Sequence, residues 1–238
     1  MNDLVTRLRR WVNESAKVVF FGGAGVSTES GIPDFRSPGG LFAQSQDESV
    51  EEMLSIEYFL RYPARFYRYY RENLVHPNAR PNAAHQKLAQ WEMEGKLSAV
   101  ITQNIDGLHQ KAGSKRVFEV HGSLERNYCM ECGRRFTLDE VPQDGDIPRC
   151  PCGAIIRPDV VLYGEMPDLS IMLGAQRMIA ASDLLIVAGT SLRVYPAAGM
   201  IDSYRGDRLA LINRTETARD RRANLRIYGN IGDIMRVL

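Results

Sequence analysis

Leu4, Leu8 and Trp11 recur about once per helical turn in a charged N-terminal segment, which predicts an amphipathic helix over residues 3 to 15. The pattern then changes to an unbroken apolar run, and Lys17–Phe21 reads as a strand. A second unit repeats this logic: Asn82 caps a helix that runs to Glu94, Gly95 ends it, and Leu97–Thr102 continues as a strand. Val117–Val120, Asp183–Ala188 and Arg208–Ile212 are further strands. Such runs lack polar alternation, so both faces of the sheet must be covered, as in a parallel sheet with helices on each side.

Two stretches break the alternation. Residues 41–75, rich in Tyr, Phe and Arg, read as helical, and residues 126–156 hold the cysteines with little apolar periodicity. Both are expected to be insertions that build a smaller lobe, with the ligand cleft between that lobe and the carboxyl ends of the strands. Residues 1–40, 76–125 and 157–238 then form the main α/β domain, a doubly wound, Rossmann-like parallel sheet.

Composition narrows the function only by exclusion. A formal charge of +1 supplies no general field for nucleic acid or an anionic membrane, and no apolar stretch is long enough to cross a bilayer. The chain is expected to be cytoplasmic, with no nucleic-acid or membrane partner. All four cysteines fall in two tight pairs, which in a reducing compartment suggests metal before disulfide.

The candidate chemistry lies where strands end. Gly22, Gly23 and Gly25 follow the first strand, a context in which backbone N–H groups can approach a pyrophosphate. Thr28 stands where the third glycine of a dinucleotide fingerprint belongs, and no acidic ribose reader follows a second strand, so a hydride-transfer enzyme is disfavoured. Other strand exits carry Thr102-Gln103-Asn104-Ile105-Asp106-Gly107-Leu108-His109, His121-Gly122 and Gly189-Thr190-Ser191. Singly these are turn formers or structural residues; together they would gather amide, carboxylate and imidazole groups along one sheet edge.

In order and over nearly the whole chain, GAGVSTESGIPDFRS, TQNIDGLH, the His-Gly pair, a four-cysteine insertion and GTSLRVYPAA resemble the sirtuins, NAD-dependent protein-lysine deacylases. The resemblance implies a Rossmann-like NAD-binding domain with a small lobe made of a helical and a zinc module. It implies that Gly22, Ala24, Gly25, Ser27 and Thr28 hold the pyrophosphate and that Asp34, Phe35 and Arg36 close over the nicotinamide ribose. Gln103, Asn104, Ile105 and Asp106 match nicotinamide and ribose contacts, and His121 matches the general base, work suited to an imidazole whose ordinary pKa lies near 6.5. His121 and Asn104 are thus the expected catalytic pair. Gly189, Thr190 and Ser191 match phosphate or ribose contacts, Asn213 and Arg214 the adenosine ribose, and Ile231 the adenine side.

Val160, Leu162, Tyr163, Gly164 and Glu165, with Val194 and Tyr195 opposite, resemble the two edges between which an acetylated peptide adds as an extended strand. Arg193 stands where the family often has an apolar residue. Sirtuins that prefer acidic acyl groups carry Tyr-x-x-Arg in the small lobe. Tyr67 matches the tyrosine, but Tyr70 takes the arginine's place, so a neutral acetyl group is the expected substrate, unless Arg68 or Arg71 reaches the pocket.

Cys129-Met-Glu-Cys132 has the spacing of a zinc half-site, whereas Cys150-Pro-Cys152 is one residue tighter than usual. A structural four-thiolate zinc is expected, with a degenerate, metal-free knuckle as the alternative. Two other functions use the same residues: mono-ADP-ribosyl transfer or NAD hydrolysis from the same activated ribose, and non-catalytic NAD sensing. Intact Asn104, Asp106 and His121 argue against the last. The basic cluster Arg219, Arg221, Arg222 and Arg226 reads as a solvated face without a role.

Overall fold

The computed structural model describes residues 2–44, 49–142 and 145–238. Its strands are β1 (Val18–Gly22), β2 (Leu97–Thr102), β3 (Val117–Glu119), β4 (Gly122–Cys129), β5 (Arg135–Phe136), β6 (Ile156–Val160), β7 (Leu184–Ala188), β8 (Leu209–Asn213) and β9 (Leu225–Tyr228). Its helices are α1 (Asn2–Glu14), α2 (Leu41–Gln44), α3 (Val50–Met53), α4 (Ile56–Arg61), α5 (Pro63–Asn73), α6 (Ala83–Met93), α7 (Leu108–Lys111), α8 (Leu169–Ala180) and α9 (Ile231–Arg236). Among the described residues, no helix is long and apolar enough to cross a membrane.

Six strands pair in the order β3-β2-β1-β7-β8-β9, all parallel, and β5-β4-β6 form a separate antiparallel sheet. The doubly wound architecture follows from the strand sequences. In β1 every side chain is buried: Val18 and Phe20 join a layer with α1, α6 and α9, while Val19 and Phe21 join one with α8 and the turn 197–203. α1 buries Val5, Leu8, Trp11 and Val12 rather than the expected stripe from Leu4, which is 40% exposed. The stripe is rotated because Val5, Leu8 and Val12 lie three and four residues apart and so share one face.

The small lobe has two cores. α2 to α5 pack Leu41, Leu54, Tyr58, Phe59, Phe66, Tyr67 and Tyr70 against Leu124, Val160 and Leu162, and Cys129, Cys150 and Ile156 form a second cluster. The small sheet runs from Gly122 to Val160, across positions 126 and 156 at which the sequence pattern divides the chain.

Register explains why the strand exits converge. Gly22 lies level with Thr102 and Ala188, Thr102 with Glu119, and Ala188 with Ile212. The chain leaves β1 toward β2 on one side and β7 toward β8 on the other, so a topological switch point opens beside Gly23 and Gly189, the place where α/β sheets bind ligands.

Candidate active site

The glycines at the switch point pack against each other. Gly23 N–H donates to Ala188 O at 3.1 Å and Gly25 N–H to Gly189 O at 2.8 Å. A Cβ on Gly25 would stand 2.7 Å from Gly189 Cα, and Gly189, at φ +62°, would place one 2.5 Å from Val26 N. These residues therefore bring two loops into backbone contact and leave the Ala24–Val26 turn at the mouth of the sheet. Asn82 fixes the same turn: it caps α6 through Ala84 N–H and donates to Val26 O at 2.8 Å and Ser30 Oγ at 3.0 Å.

The loop after β2 reaches both neighbours. Gln103 Nε2 donates to Thr190 Oγ1 at 2.9 Å, tying it to the loop after β7. Asn104 Nδ2 donates to Ser27 Oγ at 3.0 Å, and Ser27 Oγ donates to Asp106 Oδ2 at 2.6 Å. Leu108 N–H occupies the other Asp106 oxygen at 2.9 Å. Ser27 is 1% exposed, so the hydroxyl that links the half-buried amide and carboxylate is shielded from water, and the chain is polarised in one direction.

His121 sits at the junction of the two sheets. Gly122 has φ +80°, and a Cβ there would lie 2.0 Å from Asp159 O, so only glycine lets β4 leave the end of β3 at this angle. His121 Nδ1 lies 3.1 Å from Gln103 O. A carbonyl can only accept, so Nδ1 carries the hydrogen and Nε2 keeps its lone pair. Burial lowers the imidazole's pKa, against the opposing hydrogen bond to Gln103, which leaves a neutral ring able to take a proton. The carbonyl of His121 accepts from Val161 N–H at 2.9 Å, so the chain at His121 runs beside the 160–165 edge.

Other expected site residues divide. Asn213 is 6% exposed and exchanges two hydrogen bonds with the backbone of Thr190, Thr190 N–H to Oδ1 at 3.1 Å and Nδ2 to Thr190 O at 3.0 Å. Its amide braces the β7 loop. Ile231 packs beside Gly189, and Arg214 bonds Asn230 at 3.2 Å. Thr28 Oγ1 donates to Gly25 O, and Asp34 Oδ1 accepts from Arg36 and Ser37 N–H. Arg36 turns toward the small lobe, 3.7 Å from Glu51 and over the ring of Phe42. Phe35 also contacts Phe42 edge-on, and Ile105 O accepts from Leu124 N–H.

Along the 160–165 edge, Glu165 pairs with buried Arg157 and accepts from Leu162 N–H at 2.9 Å. Burial opposes ionisation, but these bonds hold its carboxyl below the usual range. Tyr163 pairs through its backbone with Leu54 and Ile56, and Gly164, at φ +89°, turns the chain beyond it. Tyr67 is not brought to this cleft as a free reader. It is 2% exposed and its hydroxyl donates to Ile156 O within the aromatic core.

Sequence reasoning missed a buried histidine pair beneath Asp106. His85 and His109 are 0% and 1% exposed, with ring centroids 4.7 Å apart. His85 Nδ1 accepts from Asn82 N–H, so its hydrogen is on Nε2. Burial pushes His85 down to about 4 against the pull of Asp106, and burial together with His85 holds His109 well below its ordinary value. Both rings are neutral. The signal for His85 was its place three residues after the Asn82 cap; His109 stood within the TQNIDGLH run.

The four cysteine Sγ atoms lie within 4.8 Å of one another, at 3.4 Å for Cys129 to Cys152 and 3.7 Å from Cys132 to both Cys150 and Cys152. Thiolates on a tetrahedron with Zn–S bonds of about 2.3 Å stand roughly 3.8 Å apart, so the cluster fits a structural zinc ion. The single-residue spacer of Cys150-Pro-Cys152 is accommodated by a tight turn in which Gly153 N–H donates to Cys150 O at 2.7 Å.

Residues 23–196 match the model of the Sir2 family. A protein from Clostridium acetobutylicum named NAD-dependent protein deacetylase is 51% identical over 237 residues, covering 98% of this chain and 97% of its own. A solved Sir2 structure with a p53 peptide and NAD+ is similar at TM-score 0.86 and 38% identity, and one with a deacetylated p53 peptide and 3'-O-acetyl ADP ribose at TM-score 0.89 and 37% identity; each covers 98% of this chain and 96% of its own.

Proposed function

Because this chain belongs to the Sir2 family, we propose that it removes acetyl groups from protein lysine side chains with consumption of NAD, releasing nicotinamide, acyl-ADP-ribose and free lysine. The observation that carries the reading is the convergence of the Asn104–Ser27–Asp106 chain and the free Nε2 of His121 on the switch point of the sheet.

Bound NAD supplies a ribose carbon that becomes electrophilic as nicotinamide departs. The loops of Gly22, Ala24, Gly25, Ser27 and Thr28, and of Gly189, Thr190 and Ser191, carry its phosphates and ribose. Ile231 lies at the adenine end, and Asn213 and Arg214 at the adenosine ribose, where Asn213 acts by bracing Thr190. Asp106 and Gln103 orient the carboxamide, Asn104 the ribose or the incoming acyl oxygen, and Ile105 the base beside them. Neutral His121 accepts a proton from a ribose hydroxyl at Nε2, and its Nδ1–H···O=C bond keeps the ring in that tautomer. Asp34, Phe35 and Arg36 form a loop that shields the reacting carbon from water.

The peptide lies extended between Val160–Glu165 and Val194–Tyr195, with Glu165 and its Arg157 partner holding the first edge in shape. A small lobe lined by tyrosines, without a positioned arginine at Tyr70, suits a neutral acetyl group. Zinc on Cys129, Cys132, Cys150 and Cys152 is structural and supplies no chemistry to the site. We place the enzyme in the cytoplasm, where thiolates stay reduced.

Mass spectrometry of an acetyl-lysine peptide incubated with the protein, with and without NAD, tests the reading. Loss of acetyl with NAD alone supports it. Nicotinamide release with the acetyl group intact would favour NAD hydrolysis or ADP-ribosyl transfer instead.

A further inference from the structure

The loop after β7 is fixed at successive residues. Thr190 is held by Asn213, and Leu192 is buried and donates to Thr190 Oγ1 at 3.2 Å. Val194 O accepts from Ala198 N–H at 2.8 Å, and the Tyr195 hydroxyl accepts from Arg219 Nη2 at 2.6 Å. Leu192 adopts φ +53°, a conformation uncommon for a branched side chain, and the core contact that fixes it sets the course of the chain around Arg193.

Arg193 is exposed and has no ion pair or hydrogen bond among the described residues. The carboxylate in this network is already committed: Asp202 accepts from Arg219 at 3.1 Å and pairs with Arg222 at 3.3 Å. Two guanidiniums thus share one carboxylate, and Arg193, on the segment proposed to flank the peptide, stands as an uncompensated cation on a rigid loop.

We infer that Arg193 is a specificity-determining residue that selects substrate peptides with an acidic side chain close to the acetyl-lysine. The inference rests on the deacetylase reading. A loop held this firmly loses little backbone entropy when its guanidinium pairs with a carboxylate, which can be met bidentately, while a basic neighbour on the peptide meets a positive field from Arg193, Arg219 and Arg222.

The test measures kcat/KM on one acetyl-lysine peptide carrying Glu, Gln or Lys at each position within two residues of the acetyl-lysine. At least one position is expected to favour Glu over Lys by about fivefold at low ionic strength, shrinking toward parity at about 0.5 M salt. Arg193→Ala brings that ratio toward one, and Arg193→Glu reverses it. A wild-type protein indifferent to these charges, or a Glu preference that survives in Arg193→Glu, overturns the inference while leaving deacetylation intact. Failure of the wild-type protein to deacetylate every peptide with NAD would instead overturn the function on which it rests.

Discussion

The two lobes of this protein are held together by different means. The edge of the parallel sheet is set by strand register and by glycines that let loops touch backbone to backbone, as Gly25 touches Gly189. The small lobe has a three-stranded antiparallel sheet, short helices of four to eleven residues, an aromatic cluster and a four-cysteine knuckle. The first region derives its shape from the chain alone. The second includes one core of only Cys129, Cys150 and Ile156 with partly buried neighbours, too little apolar area to hold a fold without a metal.

That contrast can be broken from the small-lobe side, where the largest effect is expected. Stripping zinc with a chelator, or replacing Cys129 with Ser, should cost several kcal/mol or more of local stability. Amide exchange should quicken across β4 to β6 and stay slow in β1, β2 and β7. Equal loss of protection in both sheets would show that the two regions are not independently held.

Joining the regions is the role of Gly122. Gly122→Ala must relieve both a positive φ and a contact with the Asp159 backbone, so unfolding should be easier by about 3 kcal/mol or more, with activity lost because His121 is displaced. A urea titration and a turnover assay read the two effects, and a variant with wild-type values in both would refute this account of the junction.

Within the parallel-sheet half, pH sharpens the picture. Histidines in the unfolded chain titrate near 6.5, whereas folded His85 is pushed down to about 4 and His109 well below its ordinary value. The unfolded state therefore binds these protons more tightly. The stabilisation is fully present above about pH 6.5 and is lost as pH falls toward 4, on the order of 3 kcal/mol for His85. A His85→Gln variant should show a shallower loss of melting temperature over that window, and an unchanged slope would count against it.

The smallest expected effect is at Asn213. Asn213→Ala leaves Thr190 N–H and C=O without partners, which costs about 1–3 kcal/mol and loosens the loop that carries Thr190 and Arg193. NAD KM should rise more than kcat falls. A kcat effect alone would indicate that the brace serves chemistry and not binding.

Much of the parallel sheet was legible because β1, β2, β7 and β8 are largely apolar runs, and these lie within a residue of where the pattern puts them, whereas β9 alternates buried Leu225 and Ile227 with exposed Arg226 and Tyr228 and was not placed. The strand exits were legible too, since Gly, Asn, Asp and His are conspicuous after Val and Ile. The Asn82 cap was readable, but its second role, bonding Val26 and Ser30, was not, because it joins residues more than fifty positions apart. Glu165 and Tyr67 show the opposite failing. Both lie in motifs that suggest contact with substrate, and the structure commits their polar atoms to Arg157, Leu162 and Ile156. Local pattern reports what a side chain can bond; only the packed lobe decides which partner it finds. The buried His85–His109 pair was hidden for the same reason.

The central claim is that His121 is the base, poised by its bond to Gln103 O and by its place beside the peptide edge. His121→Ala should lower kcat on an acetyl-lysine peptide by about a hundredfold or more while NAD binding and melting temperature stay near wild type. Turnover close to wild type in a folded, NAD-binding His121→Ala protein would contradict the account.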